Sequence, residues 1–100
     1  MILKLATPGN IEKIIVDTCH FKGNYPDSCS VEACMSYNDA SVINNEVEWK
    51  TLLPSQKLSA DNEHEFIKQM QNGSTYSHVR LNIFPDGGIS RLRLFGKRKK

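Results

Sequence analysis

A chain of 100 residues is long enough for one domain with a modest hydrophobic core. Its composition, 39% hydrophobic and 24% charged, is typical of a globular protein, and no apolar run approaches the ~20 residues that a membrane span requires. The formal net charge of +2 depends on the basic tail 97–100, without which nine basic residues face eleven acidic ones, so we expect no nucleic-acid partner and no membrane partner.

Apolar residues recur at every second position through most of the chain, which predicts short β-strands. In chain order, the predicted strands are 2–5, 11–17, 28–37, 47–53, 76–84 and 89–95. Turn-forming residues stand at 7–10, 72–74 and 85–88, and a polar loop occupies 38–46. Pro54 is expected to end the fourth strand. The stretch 57–70 fits either a short helix capped by Ser59 or Asn62, or a strand over 64–67.

The third predicted strand shows the alternation most clearly, with Cys29, Val31, Ala33 and Met35 on one face. Serines and Glu32 occupy the other face, which is typical of a half-solvated antiparallel strand. Several such strands with turns at regular spacing favour an all-β sandwich.

The last two predicted strands are separated by Pro-Asp-Gly-Gly, the strongest turn signal in the chain. Asp-Gly and Gly-Gly supply the positive φ of a tight turn, so the sequence predicts a β-hairpin. In that hairpin Arg80 lies across from Arg93 and Asn82 across from Arg91, with His78 further along the same face.

Two arginines that face each other destabilise a sheet by up to about 1 kcal/mol, so an anion is expected beside them. Solvent, salt or a carboxylate from a neighbouring strand is one source. An anionic ligand is the other, because paired guanidinium groups bind a carboxylate with two-pronged geometry. The pattern leaves both open.

The segment DTCHFKGNYPDSC, between the second and third predicted strands, is rich in polar and titratable groups. Asp17, Asn24 and Asp27 suit turns, so a purely structural loop is one interpretation. His20 has an unperturbed pKa near neutrality, and with Lys22 and Asp27 close by it is a candidate for proton transfer. His64 has no comparable companions and is predicted to be a surface residue.

Three cysteines, Cys19, Cys29 and Cys34, form no CxxC pair. Their odd number and the lack of an export signal predict free thiols in a reducing, cytoplasmic location. Together with His20 they lack the ligand spacing of a zinc site, so we expect no metal and no cofactor.

Three stretches of the sequence are long and unusual in composition: VDTCHFKGNYPDSCSVEAC (16–34), WKTLLPSQKLSADNEHEF (49–66) and HVRLNIFPDGGISRLRLFG (78–96). They resemble allantoicase. The resemblance implies a hydrolase of purine degradation that converts allantoate to ureidoglycolate and urea. It also implies a galactose-binding-like, jelly-roll β-sandwich, of which this chain looks like the later part of the second repeat, truncated at the N-terminus. We therefore expect a partial repeat domain over 1–96 and a disordered basic tail over 97–100.

The two motif segments supply candidate residues for this chemistry. Binding allantoate calls for cations that hold its carboxylate and amide-like groups that meet its two ureido groups, and hydrolysis requires a proton for the departing nitrogen. The candidate substrate-binding residues are Lys22, Asn24, Arg80, Asn82, Arg91 and Arg93. The candidate catalytic residues are His20, His78, Asp17 and Asp27.

Two other functions stay open. The chain is either a catalytically inactive jelly-roll domain that binds a ligand, or a module that associates with a complete allantoicase chain or with itself. Unpaired sheet edges in a truncated sandwich favour association.

Overall fold

The computed structural model describes residues 2–19, 23, 26–67, 69–70, 74–84, 89 and 91–97. Within these residues the chain forms seven β-strands and one short helix. They are β1 (Ile2–Gly9), β2 (Lys13–Asp17), β3 (Ser28–Cys34), α1 (Asp39–Ile43), β4 (Lys50–Lys57), β5 (Glu63–Phe66), β6 (Tyr76–Phe84) and β7 (Arg91–Phe95). In this part of the chain, no helix is long and apolar enough to cross a membrane.

The strands form two antiparallel sheets, one with the order β1-β6-β3-β4 and one with the order β5-β2-β7. The two sheets pack face to face, because the core cluster draws on both of them. Val31 and Val79 come from the four-stranded sheet, and Ile14 and Val16 from the three-stranded sheet; all four are fully buried. The expected all-β sandwich is confirmed.

Strict alternation places the core residues of the four-stranded sheet. Cys29, Val31 and Ala33 of β3 are completely buried, as their pattern predicts. The alternation breaks at Cys34, which is buried like its neighbour Ala33, and Met35, which follows the end of β3, is exposed. The strand is therefore shorter than its apolar pattern.

Two of the prolines that were expected to mark a turn or a strand end, Pro8 and Pro54, lie inside edge strands. The turn predicted at 7–10 is wrong because β1 continues through Pro8 to Gly9, with an irregular register between Lys4 and Gly9. Pro54 does not end its strand, since β4 runs on to Lys57. An edge strand tolerates proline because one side of its backbone needs no ladder hydrogen bond.

The predicted polar loop 38–46 contains the helix α1. The side chain of Asn38 accepts hydrogen bonds from the backbone N–H groups of Ala40 and Ser41, which is the usual N-cap arrangement. Val42 is the buried residue of this helix. The ambiguous stretch 57–70 contains the strand β5, so the strand alternative is confirmed there.

The predicted β-hairpin is wrong. β6 pairs with β1 and β3 in one sheet, whereas β7 pairs with β2 in the other. The chain between them therefore crosses from sheet to sheet, and Arg80 does not face Arg93. A turn-forming sequence suits either connection, and the need to cover both faces of the core decides between them. Residues 85–88 themselves, residues 72 and 73 of another predicted turn, and residues 98–100 of the predicted tail lie outside the described residues.

Candidate active site

Two of the connections between the sheets start and finish side by side. Asp17 at the end of β2 lies opposite Arg91 at the start of β7. Ser28 at the start of β3 lies opposite Phe84 at the end of β6. The β2–β3 and β6–β7 connections therefore join the same two pairs of neighbouring strand ends. These are the two segments that sequence analysis selected, and the sheet register brings them together although they form no hairpin.

The β4–β5 connection reaches the same end of the sandwich from the other side. Lys57 at the end of β4 pairs with Ser28, and Glu63 at the start of β5 pairs with Asp17. Three connections, 18–27, 58–62 and 85–90, thus meet at one end, which we call the crossing end. Such an end of a β-sandwich is where connecting segments converge and where binding sites commonly lie.

Asp17 is a buried carboxylate at the crossing end, with only 3% of its surface exposed. Its Oδ1 accepts a hydrogen bond of 2.8 Å from the backbone N–H of Cys19. A hydrogen bond from the Cys19 thiol, then that backbone bond, and then the charges of Arg91 and Arg93 hold the pKa of Asp17 below its usual value. The same thiol–carboxylate contact raises the pKa of Cys19 to about 11.

The arginines of β7 lie on the outer face of the three-stranded sheet. Arg93 donates from Nη2 to Glu63 Oε1 at 2.6 Å. Its Nε is buried and, among the described residues, has no hydrogen-bond partner. Arg91 is exposed beside Asp17. The crossing end therefore places the Asp17 carboxylate next to the exposed guanidinium of Arg91.

Asp27 is exposed just before β3, and its backbone carbonyl accepts a 2.8 Å hydrogen bond from Leu58 N. This bond joins two of the three connections at the crossing end. His20, Lys22 and Asn24, the other candidates from this segment, lie outside the described residues. The described residues on either side of them, Cys19 and Asp27, place the segment's two ends at the crossing end.

The remaining candidates form a separate cluster on the outer face of the four-stranded sheet. Arg80 binds Glu32 through both Nε and Nη2, at 3.1 and 2.9 Å from the same carboxylate oxygen. Its guanidinium lies 4.4 Å from the centre of the Trp49 ring and donates to Asn45 at 3.2 Å. Asn82 donates to the same Glu32 oxygen at 2.9 Å. These side chains bind one another and connect the sheet to the chain that follows α1.

His78 belongs to the same face and is held from both sides of its ring. Its Nε2 lies 3.0 Å from Asp39 Oδ1, and its Nδ1 lies 2.7 Å from the Ser77 hydroxyl. Lys4 forms a second ion pair with Asp39, at 2.8 Å. Ser77 also bonds the backbone N–H and C=O of Ser36. The contacts that run from Ser77 through His78 and Asp39 to Lys4 therefore connect β6, α1 and β1.

Three partners in these clusters were missed by the sequence analysis. Glu32 and Glu63 neutralise arginines that had no assigned counter-ion, and Glu32 was detectable because β3 places it on a solvent-facing position. His64 was predicted to be a surface residue, and this is wrong. It is half-buried, with Nδ1 3.0 Å from Val16 O and Nε2 2.9 Å from Ser59 N. No local pattern reveals it, because its partners are five and 48 positions away.

No group of three or more His, Cys, Asp or Glu side chains within the described ranges is arranged to hold a metal ion. That the protein functions without a metal or a cofactor stays a prediction.

Comparison with known proteins identifies the fold. The family model described as an allantoicase repeat matches residues 1–99. A probable allantoicase from Stutzerimonas stutzeri is 56% identical over 99 residues, which cover 97% of this chain and 30% of that protein. A second, from Photobacterium profundum, is 55% identical over 98 residues, with 96% and 30% covered.

The crystal structure of allantoicase from Saccharomyces cerevisiae superimposes with a TM-score of 0.77 and 36% sequence identity, over 96% of this chain and 26% of the yeast chain. This match confirms the expected jelly-roll β-sandwich. The chain spans about 30% of the length of the bacterial relatives named above. With its family model matched over nearly its whole length, the chain belongs to the allantoicase family.

Proposed function

We propose that this chain supplies substrate-binding and catalytic groups for an allantoicase-type hydrolysis of a C–N bond, which converts allantoate and water to ureidoglycolate and urea. The observation that carries the proposal is the position of the two motif segments. The strand ends that border the connections 18–27 and 85–90, one connection in each segment, meet at the crossing end of a domain whose family model is the allantoicase repeat.

Recognition of allantoate fits the charges at the crossing end. Allantoate carries one carboxylate and two ureido groups on a single carbon. Arg91 is exposed there and, with Lys22, is proposed to hold the carboxylate. Arg93 adds positive charge beside it but already donates to Glu63. Asn24 presents both a donor and an acceptor, which match the N–H and C=O groups of a ureido substituent.

The proposed reaction needs one proton donor. When the bond between the central carbon and a ureido nitrogen breaks, that nitrogen takes a proton and leaves as urea, and the hydroxyl of water completes ureidoglycolate. We assign the proton transfer to His20, with Asp17 or Asp27 orienting its imidazole. Asp17 suits that role because the Cys19 hydrogen bonds keep it ionised.

His78, Arg80 and Asn82 are left out of the proposed site. Their polar groups are occupied by Asp39 and Glu32. His78 is also six residues from the end of β6, about 20 Å along a strand that rises roughly 3.3 Å per residue. These contacts favour a structural role on the outer face of the four-stranded sheet.

The direct test is to incubate the purified chain with allantoate and to measure urea. We expect urea release that His20→Ala lowers by about 100-fold, as is typical for loss of a general acid. Lys22→Ala is expected to weaken allantoate binding, whereas Lys50→Ala, an exposed lysine on β4, is the matched control and changes neither quantity. Absence of both urea release and allantoate binding would contradict the proposal.

A groove beside the open edges of the sandwich favours a second candidate function, association with another chain of the family. β1 and β7 are edge strands of their sheets, and between them lies a cavity of about 330 Å³ lined by residues 5–7, 9–11 and 94–97. Leu5, Leu92 and Leu94 pack against the core but are only half-buried. Unpaired strand edges next to apolar surface invite pairing with another strand.

Sedimentation across a range of protein concentrations tests this candidate. Leu94→Glu should abolish concentration-dependent association, and Ile43→Glu, at an exposed apolar position on α1, should leave it intact. A wild-type chain that sediments as a monomer at every concentration would exclude self-association.

A further inference from the structure

The β4–β5 connection is fixed to the end of β2 by one buried hydroxyl. Thr18 is completely buried, and its Oγ1 lies 2.7 Å from Ser59 O, to which it donates its proton. Thr18 Oγ1 also accepts a hydrogen bond of 3.2 Å from Asn62 N. The backbone N–H of Thr18 donates to Asn62 O at 2.9 Å. Thr18 thus contacts both the second and the fifth residue of a five-residue connection.

His64 provides a second attachment between the same two parts of the chain. Its Nδ1 donates to Val16 O, since a carbonyl only accepts, and its Nε2 therefore accepts from the backbone N–H of Ser59. The imidazole is thus held as the neutral tautomer with its proton on Nδ1. Ser59 is fixed through its carbonyl by Thr18 and through its N–H by His64.

We propose that Thr18 is a positioning residue for the active site at the crossing end, an inference that rests on the proposed function. It stands between Asp17, the proposed orienting carboxylate, and the segment that contains His20, the proposed acid. The Asp17 carboxylate accepts a hydrogen bond from Cys19 N and so fixes the residue that follows Thr18. Residues 17 to 19 are therefore all held in place where the chain leaves β2 toward His20.

The chemistry of the contact explains why threonine is needed at this position. Valine has nearly the same shape but offers neither donor nor acceptor, so Thr18→Val leaves Ser59 O and Asn62 N without their side-chain partner. The bond from Thr18 N to Asn62 O would remain. The connection would thus keep its attachments through Thr18 N and His64 but lose both bonds to the side chain at position 18. Its orientation would be less fixed, so the residues beside the site could take a wider range of positions.

Amide hydrogen exchange tests the structural half of the inference without a ligand. Thr18→Val should speed exchange at Asn62 N–H, which donates to the lost oxygen. Thr18→Ser, which retains the hydroxyl, should restore slow exchange. Thr51→Val on β4 is the matched control, because Thr51 is exposed and distant from the crossing end, and should leave Asn62 unchanged. Equal exchange at Asn62 in all four proteins would overturn the inference.

Calorimetric titration with allantoate tests the functional half. We expect Thr18→Val to weaken binding about tenfold, and Thr18→Ser to bind within about twofold of the wild type. If Thr18→Val does not fold, His64→Gln removes the second attachment of Ser59 and should weaken binding in the same direction. Wild-type affinity in the folded variants would refute the positioning role while the proposed function stood. A wild-type chain that does not bind allantoate would instead refute the proposed function, and the inference with it.

Discussion

Arg80 and Glu32 lie directly opposite each other on β6 and β3, and two nitrogens of the guanidinium share one carboxylate oxygen. The sequence pattern had placed Arg80 across from Arg93 and left its counter-ion open. The two arginines do not face each other, because β6 and β7 lie in different sheets. Each arginine pairs with a carboxylate from a neighbouring element instead: Glu32 for Arg80 and Glu63 for Arg93. A carboxylate of the protein itself therefore neutralises Arg80.

Glu32→Gln should lower the free energy of unfolding by about 1–2 kcal/mol, because Arg80 then keeps its charge in a half-buried place without an ionic partner. Urea unfolding measures the change. The matched control is Glu65→Gln, whose ion pair with Lys13 is looser, at 3.9 Å, and it should change stability by less than about 0.5 kcal/mol. Equal effects of the two substitutions would contradict a special role for the Arg80–Glu32 pair.

Acid should destabilise the fold through its low-pKa carboxyl groups. Hydrogen bonds from Lys4 and then His78 lower the pKa of Asp39. Burial raises the pKa of Glu32, but hydrogen bonds from Asn82 and Arg80 together outweigh it, so this pKa is also lowered. Folded-state values below the unfolded ones give stability that is present above the usual carboxyl pKa and lost as pH falls through the folded value.

We therefore expect the urea midpoint to decrease as pH falls from about 5 to about 3. In Asp39→Asn one of the low-pKa groups is gone, so the variant should be less stable near neutrality and its midpoint should depend less on pH. A variant curve that runs parallel to the wild type would show that Asp39 does not contribute.

Cys19 should become more reactive when Asp17 is replaced. The hydrogen bond to Asp17 is the largest cause of the raised pKa of Cys19, about 11, whereas burial alone raises the pKa of Cys29 to about 11. Thiolate is the nucleophile, so both thiols should alkylate slowly in the folded protein. Asp17→Asn should speed iodoacetamide labelling of Cys19 and leave Cys29 unchanged, as peptide mass mapping can show. Faster labelling of both thiols would indicate general unfolding instead.

Gly96 should not tolerate a side chain. A Cβ at this position would lie 1.8 Å from the backbone oxygen of Asn10, where backbone hydrogen bonds join the segments that follow β1 and β7. Gly96→Ala should therefore destabilise the fold by about 1–3 kcal/mol through forced backbone movement. Gly23→Ala is the control, since no atom of the described residues lies within 4 Å of its Cβ position. Thermal unfolding compares the two, and an unchanged Gly96→Ala would show that the two strand ends are loosely joined.

The strands were largely predictable because alternation is a local signal. β6 has the predicted bounds, and the buried face of β3 follows its pattern through Ala33. Pro8 and Pro54 were wrongly predicted to lie outside strands, because the effect of a proline depends on whether its strand is central or at an edge. The sheet order decides that. The helix α1 was missed because its five residues contain one buried position and no helical repeat.

The arrangement of the candidate site was only partly predictable. The hairpin assumed between the last two strands put Arg80, Asn82, Arg91 and Arg93 on one face, whereas the chain crosses between sheets there and separates them. Whether Arg80 stands beside Arg93 depends on strand pairing, and pairing is set by burial over the whole sandwich. Contacts such as Thr18 with Ser59 span 41 positions, and no local pattern contains them.

The order of the strands also determines when the crossing end comes into existence during folding. Of the pairings among the described strands, only that of β3 with β4 joins consecutive strands. The remaining pairings must close long stretches of chain, which is typical of domains that fold in milliseconds to seconds. Because all three connections there bridge the two sheets, no half-formed sandwich presents their residues together. A molecule that recognises this end would bind late and would mainly slow unfolding, with little effect on the refolding rate.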